Sequence, residues 1–530
     1  MTQPDTVIVG AGHNALVTAA FLARAGRRVL VLERREVVGG AAATEEIFPG
    51  FRVNVAAQDA GLFRRDIAAD LGLDAHGLEW VRPPALATSL LGAGDVLTLW
   101  RDTARTRDEI ARHSRADMGR FQEWAEYLRT MAHVLRIALH HPAPPLHDLT
   151  ARERIRLLRP LLQAARHGKR TVVELLRVLP LPARDLLDDW FESDALKGML
   201  GSTALLGAGQ GPSAMGGAFR LLYHATGCEP HGFRSSAFVK GGIGALSEAL
   251  AAAARDHGAE VRTRAEVERI LVEDGVATGV LLADGEEIPA RCVVSGADPR
   301  RTFFGLVGAP RLGPEFNRKV ANIRMRGTTA ILHLLLDGLP PLADAADRLA
   351  GHTLVAPTLD YLERASDDAK YGRCSARPHL DMVVPTLHNP ALASAGRHVV
   401  TIQIRYAPYR VRTAGSGHGR VADSARDALL STVMATLDEF LLFFFYVLVY
   451  NVIYTPLDHE AQLALTHGDE YHGQMELDQL LFMRPVAGWA RYRTPVEGLY
   501  LCGSGTHPGG GVTGGPGWLA AREILRLGRK

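Results

Sequence analysis

Residues 5–40 read "DTVIVGAGHNALVTAAFLARAGRRVLVLERREVVGG", and this stretch decides the fold. "TVIV" is a short apolar strand. "NALVTAAFLARAG" repeats its apolar residues at helical spacing and stops at Gly26. "RVLVLE" is a second strand. Strands this uniformly apolar suit a parallel sheet covered on both faces. Between strand and helix, Gly10-Ala11-Gly12-His13-Asn14-Ala15 fits G-x-G-x-x-G/A. Gly10 permits a tight turn, Gly12 lets a pyrophosphate approach the backbone, and Ala15 lets the helix pack on the strand. The phosphates then meet a helix N-terminus. Glu33 ends the second strand, 21 residues after Gly12, where a carboxylate can accept ribose hydroxyls. Its charge disfavours a 2′-phosphate, although Arg34 and Arg35 follow. The motif predicts a dinucleotide and leaves FAD and NAD both open. Gly39-Gly40 and Ala41 follow, and a glycine pair there suits a loop folding back over the pyrophosphate of FAD.

The remaining chain narrows the function. At 530 residues it exceeds one compact core, so at least two domains are expected. Apolar residues make up 47% and charged residues 22%, as in ordinary globular proteins. A net charge of +2 gives no electrostatic case for nucleic acid. Cys228, Cys292, Cys374 and Cys502 form no CxxC, so neither a disulfide framework nor a redox dithiol is expected. No secretory leader is legible and no apolar run reaches the roughly 18 residues of a membrane span. These features predict a cytoplasmic protein, with peripheral membrane contact left open. The longest apolar run, residues 440–454, "FLLFFFYVLVYNVIY", leaves three readings open: a buried strand pair, a lipid-facing or substrate-lining surface, and a local anomaly of the sequence. Residues 66–230 read as a helical insertion or cap, and residues 236–303 return to strand and helix with a turn at Asp284 and Gly285.

The far end is the most specific stretch. "LYLCGSGTHPGGGVTGGPGWLAA", residues 499–521, runs strand, glycine turn, helix. So many missing Cβ atoms suggest a broad flat group lying on the backbone near Gly503, Ser504, Gly511 and Val512. His507, inside that turn, is read as bracing the loop, and His472 as a surface or core residue. His140, His141, His147 and Asp148 lack the spacing of a metal site, so no metal is expected.

Taken together, "VIVGAGHNALVTAAFLARAG", "LERREVVGGAA", "FVKGGIGALSEAL" and "LYLCGSGTHPGGGVTG" resemble the phytoene desaturase-like flavoproteins. The resemblance implies an α/β, Rossmann-type FAD-binding fold of the amine oxidase and GDP-dissociation-inhibitor type, with an interleaved substrate domain and helical cap. It places the FAD-binding domain in residues 1–65, 232–305 and 485–530, and the substrate domain in 66–231 and 306–484. It implies non-covalent FAD held at Gly10, Gly12, His13, Asn14, Ala15, Glu33, Arg34, Gly40 and Ala41. Val267 would contact adenine, and Gly503, Ser504, Gly511 and Val512 would approach the ribityl and flavin end. Amine oxidases carry an arginine where this chain has Ala41, so any role of that side chain is missing.

No second G-x-G-x-x-G follows a strand, so no separate NAD(P)H domain is expected. The reading is an FAD-dependent oxidoreductase that desaturates or oxidises an apolar or amphipathic small molecule by hydride transfer to flavin. Oxygen, a quinone or another carrier would take the electrons. No catalytic residue is assigned. A non-catalytic lipid or prenyl carrier on the same fold and an NAD-linked dehydrogenase are the alternatives, and the oligomeric state is left open.

Overall fold

A computed structural model describes residues 3–144, 162–163, 166–227, 231–394, 396–413, 416–419, 423–441 and 447–528. Its centre is a five-stranded parallel sheet. Strands β1 (Thr6–Val9), β2 (Val29–Leu32), β3 (Glu260–Arg262), β4 (Cys292–Ser295) and β5 (Leu499–Leu501) lie in the order β5-β4-β1-β2-β3. Every neighbouring pair is parallel, with Thr6 opposite both Cys292 and Val29. Both ends of the chain therefore share one sheet.

The side chains alternate between two cores. Ile8, Val29, Val31 and Val294 pack beneath α1 (His13–Arg24), α2 (Gly244–Asp256) and α3 (Gly515–Leu527). Val7, Val9, Leu30, Leu32, Val293, Leu499 and Leu501 pack on the opposite face, against a three-stranded sheet formed by Val267–Glu273, Val276–Leu282 and Glu287–Pro289. Each such Val or Leu contributes about 1.5–3 kcal/mol by burial. That outweighs the spread of about 1 kcal/mol in strand propensity. Two-sided packing is thus why these strands are apolar at every position rather than alternately.

A second, seven-stranded sheet lies apart from the first. Its order, by residues, is Leu448–Tyr454, Thr329–Leu336, His398–Arg405, Leu380–Val383, His352–Val355, Ala85–Gly92 and Asp95–Trp100. Of the insertion read as helical over 66–230, helices Thr103–His113, Arg115–Leu139, Lys169–Val178, Ala183–Asp188, Asp194–Gly201 and Gly217–His224 are found where it is described, but Trp80–Val81, Ala85–Gly92 and Asp95–Trp100 are strands, the last two at one edge of this sheet, which corrects the reading there. The turn at Asp284 and Gly285 joins two paired strands, with Gly285 at φ +93°.

Where it is described, the apolar run near residue 450 does not form a buried strand pair, one of its three readings. Among its described residues it supplies one edge strand, Leu448–Tyr454, in which Val449 and Tyr450 are about half exposed. Residues 442–446 of that run, together with Cys228, His147 and Asp148, lie outside the described residues. No described helix is long and apolar enough to cross a membrane.

Candidate FAD cleft and adjoining pocket

The first turn is built by backbone requirements. Gly10 sits at φ +84°, a conformation that side-chain-bearing residues rarely adopt. Gly12 is different: it caps α1 in extended backbone, at φ −66°. A Cβ added at Gly12 would meet nothing within 4 Å, so this glycine leaves space beside the helix N-terminus rather than relieving strain. Gly39 and Gly40 come back over the turn, Gly39 donating its N–H to the Ala11 carbonyl at 2.8 Å. Glu33 accepts from the Ala11 N–H at 2.8 Å and the Arg35 N–H at 3.0 Å, which fixes its carboxylate at the end of β2.

The closing turn meets the opening one directly. Asn14 donates Nδ2–H to the Ser504 hydroxyl at 3.2 Å. Thr18 lies within 3.0 Å of both the Asn14 and Gly517 carbonyls through its Oγ1. A Cβ at Gly517 would sit 2.0 Å from the Asn14 carbonyl oxygen, so only glycine lets α3 cross α1 this closely.

This contact corrects the reading of the glycine-rich end. Most of those glycines accommodate the protein's own chain, not a flat ligand. A Cβ at Gly503 would strike the Gly296 carbonyl, one at Gly509 the Met475 side chain, and one at Gly510 Tyr471. The open glycines are at the other end, Gly10 and Gly12.

One cleft gathers residues from both ends. Gly10, Gly12, His13, Asn14, Ala15, Glu33, Arg34, Gly40, Ala41, Val267, Gly503 and Ser504 all line it. Arg34 lines it while its guanidinium donates to the Ala461 and Gln462 carbonyls. Gly511 and Val512 instead line an adjoining pocket, which shares His13, Ala41, Ser504 and Glu470 with the cleft. The residues fit a dinucleotide on two observations. Space is open at Gly10 and Gly12, and His13 Nε2 and Asn14 Oδ1 are buried without a protein partner at the same place. Burial, reinforced by His472, pushes His13 down to about 4, so it is a neutral imidazole there.

Several lining residues escaped the sequence reading. Gly296, Ala297 and Asp298 follow β4. The rule that ligands bind at the carboxyl ends of parallel strands could have found them. Glu470 and His472 carry no local signal. His472 is half-buried, with Nδ1 enclosed and without a protein partner, and burial lowers its pKa. His507 braces as read: its Nε2 bonds the His141 carbonyl at 2.9 Å, and its own carbonyl accepts from Tyr492 Oη at 3.0 Å.

The adjoining pocket holds a buried network of charges. Arg234 bonds Asp381 at 2.5 Å; Asp381 bonds His352 at 2.8 Å; His352 bonds Asp59 at 3.0 Å. Arg405 bonds Glu470 at 2.8 Å and Gln403 at 3.0 Å. Burial and Arg234 press His352 toward its neutral form. Asp381 and Asp59 outweigh them, and its pKa lies above the ordinary value. Burial opposes ionisation of Asp381, but Arg234 and His352 hold it well below the usual carboxylate range. Among the described residues, no cluster of three or more His, Cys, Asp or Glu side chains could hold a metal ion.

Residues 16–339 match the model of the family "flavin containing amine oxidoreductase". Over 98% of this chain and 93% of its own length, pyridine nucleotide-disulfide oxidoreductase domain-containing protein 2 of Rattus norvegicus is 36% identical.

This chain belongs to the flavin-containing amine oxidoreductase family.

A limonene dehydrogenase component of Castellaniella defragrans is 30% identical over 99% of this chain and 95% of its own. The solved structure of cyclohexylamine oxidase from Brevibacterium oxydans superposes with a TM-score of 0.56, covering 100% of each chain at 16% identity. The fold is the FAD-binding amine oxidase type, and the cofactor is FAD. As a family member the chain is an oxidoreductase.

Proposed function

We propose that this chain dehydrogenates an amphipathic small molecule bound in the polar pocket. The observation that carries this reading is the shared wall. His13, Ala41, Ser504 and Glu470 line both the cleft and the pocket, so a molecule in the pocket would lie against a cofactor held in the cleft. FAD supplies the hydride acceptor when bound. The chain's own residues hold and orient. Gly10, Gly12, Asn14 and the α1 N-terminus would cradle the pyrophosphate, and Glu33 the adenosine ribose. Val267 would meet adenine, and Gly503, Ser504, Gly511 and Val512 would border the ribityl and ring end. Neutral His13 can offer a hydrogen bond there without adding charge.

The likeness of the sequence to phytoene desaturase-like proteins supports desaturation as the reaction. The name of the limonene dehydrogenase relative supports oxidation of a largely hydrocarbon molecule. A wholly apolar substrate fits poorly, because it would leave the pocket's buried polar atoms unpaired at about 1–3 kcal/mol each. Oxygen, a quinone or a protein carrier would then reoxidise the enzyme.

Anaerobic addition of amphipathic candidates to the flavin-loaded chain tests this. A substrate is expected to bleach the oxidised flavin band near about 450 nm. Ligands that bind without bleaching, on an enzyme whose dithionite-reduced form reacts with neither oxygen nor quinone, would favour a carrier.

A further inference from the structure

Arg484 is a buried charge with no opposite charge beside it. It is 2% exposed, and all six of its hydrogen bonds go to main-chain carbonyls. Nε and Nη2 both donate to the Ser504 carbonyl, at 3.0 and 2.9 Å. Nη2 also donates to the Tyr471 carbonyl at 2.6 Å and the Gly473 carbonyl at 3.0 Å. Nη1 donates to the Gln474 and Gln479 carbonyls at 3.3 and 3.4 Å. Asp469, on the same loop, spends its oxygens on the Tyr471 and Arg326 N–H groups, at 3.0 and 3.2 Å. Burial pushes the pKa of Arg484 down to about 10, so it stays protonated at neutral pH. Carbonyl dipoles offset part of the cost of burying it but carry no net charge, so a cation remains unneutralised in the interior.

Its place gives that charge a use. Ser504 lines both the cleft and the adjoining pocket, and its hydroxyl accepts from Asn14 at 3.2 Å. Tyr471 lines the pocket and His472 the cleft. A Cβ on Gly503 would lie 3.2 Å from His472 Nδ1, so the 471–474 loop and the closing turn touch there. Arg484 lines neither space. It therefore grips both segments from behind and sets a full positive charge at the back of the Ser504 wall. The acids on the cleft side have partners of their own. Glu470 accepts from Arg405 at 2.8 Å, and Asp298 accepts from the Thr466 hydroxyl at 2.6 Å and the Arg301 N–H at 2.9 Å.

We propose that Arg484 is a positioning residue whose charge, acting through the Ser504 turn, favours the reduced over the oxidised form of bound FAD. This rests on the placement of Ser504 at the flavin end of the cofactor, given above. A hydride brings two electrons and one proton, so a neutral ring system that accepts it gains one negative charge. A fixed cation nearby stabilises that form and leaves the neutral oxidised form almost untouched. A clamp without electrostatic effect would support both forms alike.

Two measurements on the flavin-loaded chain separate these roles: the midpoint potential, read against a reference dye, and the calorimetric affinity for oxidised FAD. The unaltered chain should bind reduced FAD about tenfold or more tighter than oxidised FAD, placing its potential about 30 mV or more above that of free FAD. Arg484→Gln keeps a donor for Ser504 and removes the charge; it should lose about tenfold of that preference, a drop of about 30 mV. Arg484→Lys keeps the charge with fewer donors; it should hold the potential while melting lower. A potential at or below that of free FAD in the unaltered chain would overturn the proposal even if neither variant folds. So would an Arg484→Gln chain that weakens both forms equally, or Gln and Lys variants that shift the potential by the same amount. Candidate substrates that never bleach the flavin would count against dehydrogenation and leave the potential shift standing.

Discussion

The dinucleotide cleft and the polar pocket share a wall but are specified in different ways. The cleft is made mostly of backbone. Its form follows from where Cβ atoms are missing and where helix α1 begins. The pocket is made of side chains scattered over the chain: His352, Asp381 and Arg405 from the seven-stranded sheet, His224 from the end of helix Gly217–His224, and Asp59, Arg234 and Glu470 from connecting segments. A backbone device tolerates almost any neighbour except bulk. A buried charge network tolerates almost no loss of a partner. The two regions should therefore fail differently when altered.

The largest contrast is expected from Gly12→Val. Its added atoms enter open space, so the apoprotein should fold and melt much as the unaltered chain does. FAD affinity should fall about a hundredfold or more, equivalent to about 2.8 kcal/mol. Flavin content after gel filtration checks it; full retention would remove Gly12 from the cleft's function.

Asp381→Ala should do the reverse. It strips a partner from Arg234 and His352 and leaves buried charge uncompensated, a loss of about 3–5 kcal/mol of stability. Denaturant titration measures it. A loss within that of a surface substitution would show the network is solvated.

Gly517→Ala sharpens the comparison within the glycines themselves. Its Cβ collides with the Asn14 carbonyl, so the cost should appear as about 1–3 kcal/mol of stability, with flavin lost only as a consequence. Gly12 and Gly517 thus share a residue type and have opposite signatures.

A smaller, collective effect concerns pH. Burial pushes His224 and His333 down to about 3, and His13, His379 and His507 to about 4. Unfolded histidines take up protons near about 6.5. Between about pH 4 and 6.5 the unfolded chain therefore binds more protons, and stability should rise with pH across that window. Asp469, raised to about 6 by burial, opposes this with a single group. His352 acts in the other sense: its pKa is raised, so its contribution is complete at low pH and is lost as pH climbs through the folded value. Melting temperatures should climb from pH 5 to neutrality, and His352→Gln should remove a decline above it.

These differences also explain what the sequence could reveal. The β-α-β unit around Gly10, Gly12 and Glu33 was legible because every requirement falls within forty residues of one another. The sheet was legible because its strands are apolar on both faces. The glycine-rich end was legible as a site but misread in its physics. A missing Cβ looks the same whether a cofactor or the protein's own backbone occupies the space, and at Gly503, Gly510 and Gly517 it is the backbone. The run near residue 450 stayed open because apolar composition does not distinguish an edge strand from a central one. The charge network left no local pattern, since Asp59 and His352, or Arg405 and Glu470, meet only through tertiary packing.

The central claim is that the first and last turns of the chain close on one FAD. Release of bound cofactor from the purified protein by mild denaturation, with its visible spectrum recorded before and after, tests this most directly. The account predicts yellow protein with bands near about 375 and 450 nm and close to one FAD per chain. Colourless protein that takes up no added FAD would contradict it.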